Sequence, residues 1–560
     1  MPTKYEFRNI HCPAELPLTP KLRGVNPVCL DILYERGLQT AEAMEAFLFP
    51  NLMKMVRALP PFLDTNRAVS ILKKAVKEKA EVVVYQDYDV DGCTAGAIAT
   101  ECLSSQGVRV HRYCNERNVD GFGICPAGID NIHEMYPDAK ILLTVDNGIS
   151  GIAGVARAKE LGFQVVITDH HEPGEILPAA DAVIDPKRVD EPEAQYKDNC
   201  GAGVIWRIML ELYSQLGVEV SPVLAALDLA ALGTVADVVP LTGMNRAIVQ
   251  DGLRRMNAGD RPFFRVITQL LELKTIDAQY TVAFRIAPMI NAVSRMDEDV
   301  SLVGRLLLSN DEAFLREGII TLDEINQKRK NETAREADAA VAAIPEDYNE
   351  AGIIVRDASF REGIVGIVAG RLTQAYNRPS IVLTQDKNGN WKGSCRSPEG
   401  FQLKEALDKC AKWLVAYGGH ARAAGVTVRA SDFEAFEKEF IRLANEAFPT
   451  KDFSKAVTID AVFPASTYTE SMVRELTILE PYGEGFPQPL FGVVADVQDI
   501  RFMGAEKQHV KYMDNTGLSI IQWNQGEKAR TRTKCPRKFV GHPQLNEWNG
   551  NISVQFIAEN

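Results

Sequence analysis

The segment Val82-Val83-Val84-Tyr85-Gln86-Asp87-Tyr88-Asp89-Val90-Asp91-Gly92 runs a short apolar stretch straight into three alternating carboxylates. A continuous β-branched run of this kind is the pattern of a strand buried on both faces, as in a parallel sheet covered by helices. Burying three unpaired acids beside it carries a heavy desolvation cost. The acids therefore belong at the carboxyl edge of the sheet, where open α/β folds hold their ligands. Two further runs end the same way: Ile141-Leu142-Leu143-Thr144-Val145 before Asp146-Asn147-Gly148, and Val165-Val166-Ile167-Thr168 before Asp169-His170-His171. A fourth acid, Asp237, interrupts the apolar stretch Leu232 to Pro240. Strand and helix patterns alternate throughout this region, which predicts an α/β fold with a parallel-sheet core.

Carboxylates joined by one or two imidazoles suit Mn²⁺ or Mg²⁺, whereas a thiolate set suits zinc or iron–sulfur. Ten cysteines are present but form no CxxC pair, which argues against a zinc knuckle or dithiol centre. Two divalent ions about 4 Å apart can hold an attacking hydroxide and stabilise the leaving oxygen of a phosphodiester. Each acid alone reads more simply as a helix N-cap, and paired histidines are common. Four acid-bearing segments in one strand-alternating region carry the metal reading.

At 560 residues the chain exceeds a single core. Its patterning divides it into an N-terminal segment (1–65), an acidic α/β domain (66–252), a helical connector (253–344), a second α/β domain (345–452) and a terminal region of short alternating strands (453–560), read as a small β-barrel. A long charged helix, Leu315 to Ala343, is expected to link the two α/β lobes. No apolar run approaches the roughly 18–20 residues of a membrane span. The opening MPTKYEFRNI has no secretory pattern, so a cytoplasmic protein without membrane association is expected. The net charge of −13 is unfavourable for a polyanion partner. Against it stands a basic run of Lys528, Arg530, Arg532, Lys534, Arg537 and Lys538 close to Trp523, the combination that neutralises phosphates and stacks bases in oligonucleotide-binding barrels. A solvated charged loop is the plain alternative for a run this short.

Asp169-His170-His171 is similar to the name-giving motif of the DHH phosphoesterase family, and Asp87-Tyr88-Asp89-Val90-Asp91-Gly92 resembles its first motif. Asp146 and Asp237 match its second and fourth. Gly418-Gly419-His420-Ala421-Arg422-Ala423-Ala424-Gly425, with Phe360–Leu383 and Lys392–Ser397, resembles the DHHA1 domain that accompanies DHH domains. Phe284–Met296, Leu479–Phe491 and the tail Phe539–Gly550 resemble the family's single-strand-specific exonuclease branch, which ends in an OB-fold barrel. The resemblance implies metal ligation by Asp89, Asp91, Asp146, His170 and Asp237, with Asp146 bridging two ions. It makes His171 a phosphate or metal-site contact, and Asp87 and Asp169 ligands or groups that orient ligands. The chain departs from smaller family members at Tyr85, where they place a ligand histidine, and at Gln86, where glycine is common.

What this implies is a two-metal exonuclease on single-stranded DNA, acting 5′-to-3′ in recombination and repair as a monomer. Arg117, Arg295, Ser394, Arg396 and His420 become candidates for holding a terminal phosphate or backbone, while Trp523, Lys528, Arg530, Arg532 and Lys534 become candidates for holding the strand. A helicase or single-stranded-DNA-binding protein is a possible supplier of substrate. Two rivals remain. One is a family enzyme acting on oligoribonucleotides or cyclic dinucleotides, whose chain is expected to stop at the second lobe. The other is a non-catalytic DNA-binding scaffold, which is expected to have lost its acidic ligands.

Overall fold

The computed structural model describes residues 3–8, 11–115, 123–191, 196–531, 537–548 and 550–559, and counts of elements are of these residues. The chain divides into two compact units. One comprises the described residues within 5–115, 123–284 and 457–559, and the other those within 3–4 and 285–456.

In the first unit, β1 (Glu81–Gln86) leads into α1 (Val90–Ser105), followed by β2 (Arg109–Cys114), β3 (Ile141–Val145), β4 (Gln164–Thr168) and β5 (Ala182–Ile184). These five strands form one parallel sheet in the order β2-β1-β3-β4-β5. The β-branched residues of β1, β3 and β4 are buried on both faces, as their unbroken apolar runs require. Because β2 lies on one side of β1 and β3 on the other, the winding reverses between β1 and β3. That reversal opens a crevice at the carboxyl ends of the strands. Register brings the ends level, with Gln86 opposite Val145 and Val145 opposite Thr168, so the residues just beyond all three strands meet at one edge. Helices α2 (Gly201–Leu216), α3 (Leu227–Ala236) and α4 (Gly243–Ala258) complete this region.

The second unit contains α5 (Ala287–Arg295) and the long helix α6 (Glu312–Ala342). Its sheet is built from β6 (Ile353–Arg356), β7 (Ser380–Gln385), β8 (Trp391–Arg396), β9 (Leu414–Gly419) and β10 (Ala423–Val428), in the order β9-β10-β8-β7-β6. Helix α7 (Glu362–Tyr376) crosses between β6 and β7, the one parallel pair among the described strands of this sheet.

The terminal region returns to the first unit as a seven-stranded sheet of β11 (Ala461–Pro464), β12 (Phe491–Val494), β13 (Val497–Met503), β14 (His509–Asp514), β15 (Ser519–Gln522), β16 (Lys538–Trp548) and β17 (Asn551–Ala558), ordered β11-β12-β16-β17-β15-β14-β13. Its core is shared with the N-terminal segment: Leu30, Leu33, Met44 and Phe47 pack into one cluster with Phe491, Tyr512 and Phe556. Side chains from Leu22 to Leu48 thus share the core of the C-terminal sheet.

Arg246, on α4, is fully buried and ties these parts together. Its guanidinium donates to the carbonyls of Phe47 at 2.7 Å, Pro481 at 2.9 Å, and Leu479 and Glu480 at 2.8 Å each. It also lies 3.7 Å from the centroid of the Phe47 ring. Removing it strands four carbonyl acceptors in a buried site. Arg246→Met is expected to destabilise the protein by about 3–5 kcal/mol, read as a lower urea midpoint at unchanged denaturant slope.

Candidate metal centre

The first three acids follow β1 directly. Asp87 accepts from the Tyr88 amide at 2.8 Å. Asp89 caps α1, one oxygen accepting from Gly92 N at 3.0 Å. The plain N-cap expectation holds here, and capping occupies one oxygen, leaving the other free of that bond. Gly92 has to be glycine: a Cβ there would stand 2.5 Å from the Asp87 carbonyl oxygen. Asp91 is buried one helical step further on and accepts from two amides at the start of α2, Gly201 N at 2.6 Å and Ala202 N at 2.9 Å. Those amides, at the positive end of a helix, are what stabilise a buried carboxylate in this position.

Asp146 follows β3 with φ +60 and is 1% exposed. Helix α2 approaches so closely that a Cβ on Gly201 would lie 2.5 Å from the Asp146 Cβ. After β4, Asp169 is saturated: it accepts from Ile149 N at 2.8 Å, His170 N at 2.8 Å, His171 N at 3.2 Å and His171 Nδ1 at 2.8 Å. Its bonds reach the His171 ring and the backbone amides of both histidines. His170 Nε2 points at the acids, 3.0 Å from Asp146 Oδ1 and 3.7 Å from both Asp91 Oδ2 and Asp237 Oδ2. Asp237 reaches this point from the C-cap of α3.

Three overlapping ligand groups result, each with its donor atoms within 4.8 Å of one another: Asp87, Asp89 and Asp146; Asp91, His170 and Asp237; and Asp146, His170 and His171. Asp146 and His170 link the first two into a double compartment. Asp146 Oδ1 and His170 Nε2 are both buried without a hydrogen-bond partner, although 3.0 Å apart. Two lone-pair donors facing each other in a buried site call for a cation between them.

The electrostatics agree. Burial and the neighbouring Asp89 push the Asp87 carboxyl up to about 7. Burial, reinforced by mutual repulsion, raises Asp91, Asp146 and Asp237 as well. Burial drives His170 down to about 4, leaving a neutral imidazole suited to ligation. His171 goes the other way. Although burial opposes it, the bond to Asp169 and the acid field raise it to about 9, so a half-exposed imidazolium sits beside the cluster at neutral pH.

Tyr85 lies in the core beneath the sheet, where its hydroxyl donates to Asn115 and to the Gly123 carbonyl. Gln86 is buried against Cys93. Neither faces the acids as a ligand, and Asp87, Asp89 and Asp146 form a group that could hold a cation there. Sequence reasoning missed the Gly201 and Ala202 amides. The available signal was the small-residue run Cys200-Gly201-Ala202-Gly203 opening an apolar helix.

In the second unit, Ser394 and Arg396 on β8 converge on Gly366 of α7, where a Cβ would meet Ser394 Oγ at 3.1 Å and Arg396 Nη2 at 3.2 Å. Arg295 adjoins the same helix and donates to the Gly363 carbonyl at 3.2 Å. His420 is exposed in the β9–β10 hairpin. Gly419, at φ +135, is required by that hairpin itself, since a Cβ would lie 2.5 Å from the Ala423 carbonyl oxygen. In the terminal sheet region Trp523 is 44% exposed with its ring edge-on to His509, and Lys528 and Arg530 are exposed on the adjoining short helix. Arg117, Arg532 and Lys534 lie outside the described residues.

Residues 81–234 match the DHH family, N-terminal domain, residues 349–446 the DHHA1 domain, and residues 459–560 the RecJ OB domain. The chain is 32% identical over 97% of its length to the single-stranded-DNA-specific exonuclease RecJ of Bacillus subtilis, covering 68% of that protein. It is 30% identical over 98% of its length to the Escherichia coli RecJ, covering 96% of it. The chain belongs to the RecJ branch of the DHH family. Among solved structures, RecJ from Thermus thermophilus in complex with Mn²⁺ superposes on all of this RecJ-family chain and 79% of that one, with TM-score 0.83 and 29% identity. The corresponding Mg²⁺ complex gives a TM-score of 0.77.

A carboxyl raised above its unfolded value favours the folded state while protonated and loses that contribution as pH rises through the folded value. The metal-free protein is therefore expected to lose thermal stability as pH rises through about 7. Mn²⁺, which takes the place of the protons, should raise Tm more above that pH than below it. Asp146→Asn removes one repelling charge. In a thermal-shift series with and without Mn²⁺ it should stabilise the metal-free protein by about 0.5–2 kcal/mol and abolish most of the Mn²⁺-induced shift.

Proposed function

We propose that this chain is a metal-dependent exonuclease specific for single-stranded DNA, degrading it 5′-to-3′ to nucleoside 5′-monophosphates. The observation that carries the reading is the pair of buried, unpartnered donors, Asp146 Oδ1 and His170 Nε2, at the meeting point of two carboxylate groups. Its support is that relatives over nearly the whole chain are named single-stranded-DNA-specific exonucleases and that a similar RecJ structure is a Mn²⁺ complex.

Asp87, Asp89 and Asp146 form one cation compartment and Asp91, His170 and Asp237 the other. Two Mn²⁺ or Mg²⁺ ions held there supply Lewis-acid activation of water and neutralise charge at the phosphate. His171, charged and partly exposed, contacts the phosphate being cut. Hydrolysis breaks the P–O3′ bond, so the phosphate stays on the new 5′ end. Arg295, Ser394, Arg396 and His420, with Arg117, are assigned to a terminal 5′ phosphate, which arginine forks suit. Each cut regenerates that same group. Trp523, Lys528, Arg530, Arg532 and Lys534 hold the strand by stacking and charge. We further assign the protein to recombination and repair in the cytoplasm, as a monomer supplied with single strands by a helicase or a single-stranded-DNA-binding protein.

The family's smaller-substrate reading is opposed by the OB-domain match at residues 459–560. The scaffold reading is opposed by the intact acidic set. The test is mononucleotide release from single-stranded DNA labelled at either end, with Mn²⁺ or after chelation. Early release of the 5′ label, reduced more than about 100-fold in Asp146→Ala and absent without metal, is the expected result. Cleavage that survives complete chelation overturns the mechanism, and binding without cleavage in Mn²⁺ makes the chain a scaffold.

A further inference from the structure

The ligand Asp237 is held in an unusual way. On one side it has the last turn of α3, through the hydrogen bond its backbone N–H donates to the Gly233 carbonyl at 2.9 Å. On the other it is followed by Val238, a β-branched residue at φ +57 with its side chain 64% exposed. Such a residue adopts that conformation only where later structure over-determines it, so whatever grips the chain just beyond Val238 also aims Asp237.

That grip comes from the segment leading into the C-terminal sheet. Leu241 N donates to the Glu484 carbonyl at 2.8 Å. Two glycines let the turn approach: a Cβ at Gly483 would meet Leu241 Cδ1 at 2.6 Å, and one at Gly485, whose φ is +73, would meet Pro240 Cβ at 3.1 Å and Thr242 Cγ2 at 3.5 Å. The turn is anchored from behind by Arg246, through the Leu479, Glu480 and Pro481 carbonyls. The neighbouring residue, Asn245, completes the link. Its Nδ2 donates to the Pro240 carbonyl at 3.0 Å and to the Asp198 carbonyl at 2.8 Å, and its Oδ1 accepts from Asn199 at 2.6 Å. Residues 198–200 lead directly into α2, whose first amides hold Asp91.

We infer that the turn Pro481–Phe486, held by Arg246 and seated on the 240–242 loop that Asn245 ties to residues 198–199, is the positioning element for the Asp91–His170–Asp237 cation compartment, so that the approach to the C-terminal sheet sets the geometry of one of two metal sites. Both carboxylates of that compartment are aimed through Asn245. The compartment of Asp87, Asp89 and Asp146 takes its acids from the ends of β1 and β3 and meets this chain of contacts only where Gly201 packs against Asp146. The inference rests on the two-cation reading proposed for the site. Glycines 483 and 485 and residues Asn245 and Arg246 act through Asp237 and Asp91 and are positioning residues.

The experiment compares the wild-type full chain with Gly485→Ala and Asn245→Ala. The control, Gly517→Ala, has similar backbone strain at φ +90 in another turn of the same sheet, where a Cβ meets open space. Mn²⁺ binding is followed by calorimetry and by electron paramagnetic resonance of the bound ion, alongside kcat and KM on single-stranded DNA. Gly485→Ala is expected to weaken one Mn²⁺ site about 10–100-fold, leaving the other site and KM within about twofold of the control while kcat falls at least about tenfold. Asn245→Ala should reproduce the pattern and keeps the question open to test should Gly485→Ala fail to fold. Two wild-type Mn²⁺ sites in both variants, with kcat equal to that of Gly517→Ala, overturn the positioning role alone. A wild-type protein that binds no Mn²⁺ overturns the two-cation reading itself.

Discussion

The structure is organised around the cost of gathering carboxylates at the buried edge of a parallel sheet. Asp87, Asp91, Asp146 and Asp237 are all raised by burial and by one another, so without a cation the cluster opposes its own ionisation. The surrounding chain offsets this with fixed dipoles. Asp91 takes two amides from the start of α2, Asp89 takes one from its own helix, and Asp169 is filled by backbone and imidazole donors. What is left unfilled is the Asp146 and His170 pair. Stability is given up at the place where binding a cation returns it.

The histidine pair shows how one motif supplies two different charges. His170 and His171 are adjacent, yet one is driven to about 4 and the other raised to about 9. Burial among the acids makes the first a neutral lone-pair donor. Although burial opposes it, the bond from the second to Asp169 and the field of Asp87 and Asp237 keep it a cation. Asp169 thus sets the charge of His171, although it joins no ligand group among the described residues.

Remote parts of the chain carry the same constraint outward. The N-terminal helices bury their apolar faces in the core of the C-terminal sheet, and Arg246 joins both to α4 through four carbonyls. A buried arginine satisfied by backbone oxygens fixes where three chain segments meet, since any shift leaves a charge or a carbonyl unpaired. Asn245, one residue earlier, passes that fixed point to the loops carrying Asp237 and preceding α2.

The sequence by itself determined the parallel core and its acidic edge. Unbroken runs such as Ile141–Val145, alternating with helix patterns, point to doubly buried strands, and the acids that follow them fall together at the strand ends, where the structure buries Asp91 and Asp146. The DHH, DHHA1 and terminal OB resemblances were likewise legible as local motifs whose spacing survives without the fold. The roles of Tyr85, Asp169 and the Gly201 amides were decided by tertiary structure. Strand alternation turns Tyr85 into the core, the β4 edge gives Asp169 its donors, and α2 arrives from more than a hundred residues away. The packing of the N-terminal helices against the C-terminal sheet, and the contact of the 481–486 turn with the chain beyond Asp237, left no periodic or compositional trace. Hydrophobic period reports which face a segment buries. It does not report what lies against that face, because packing partners and backbone hydrogen bonds between distant segments are set only when the chain closes on itself.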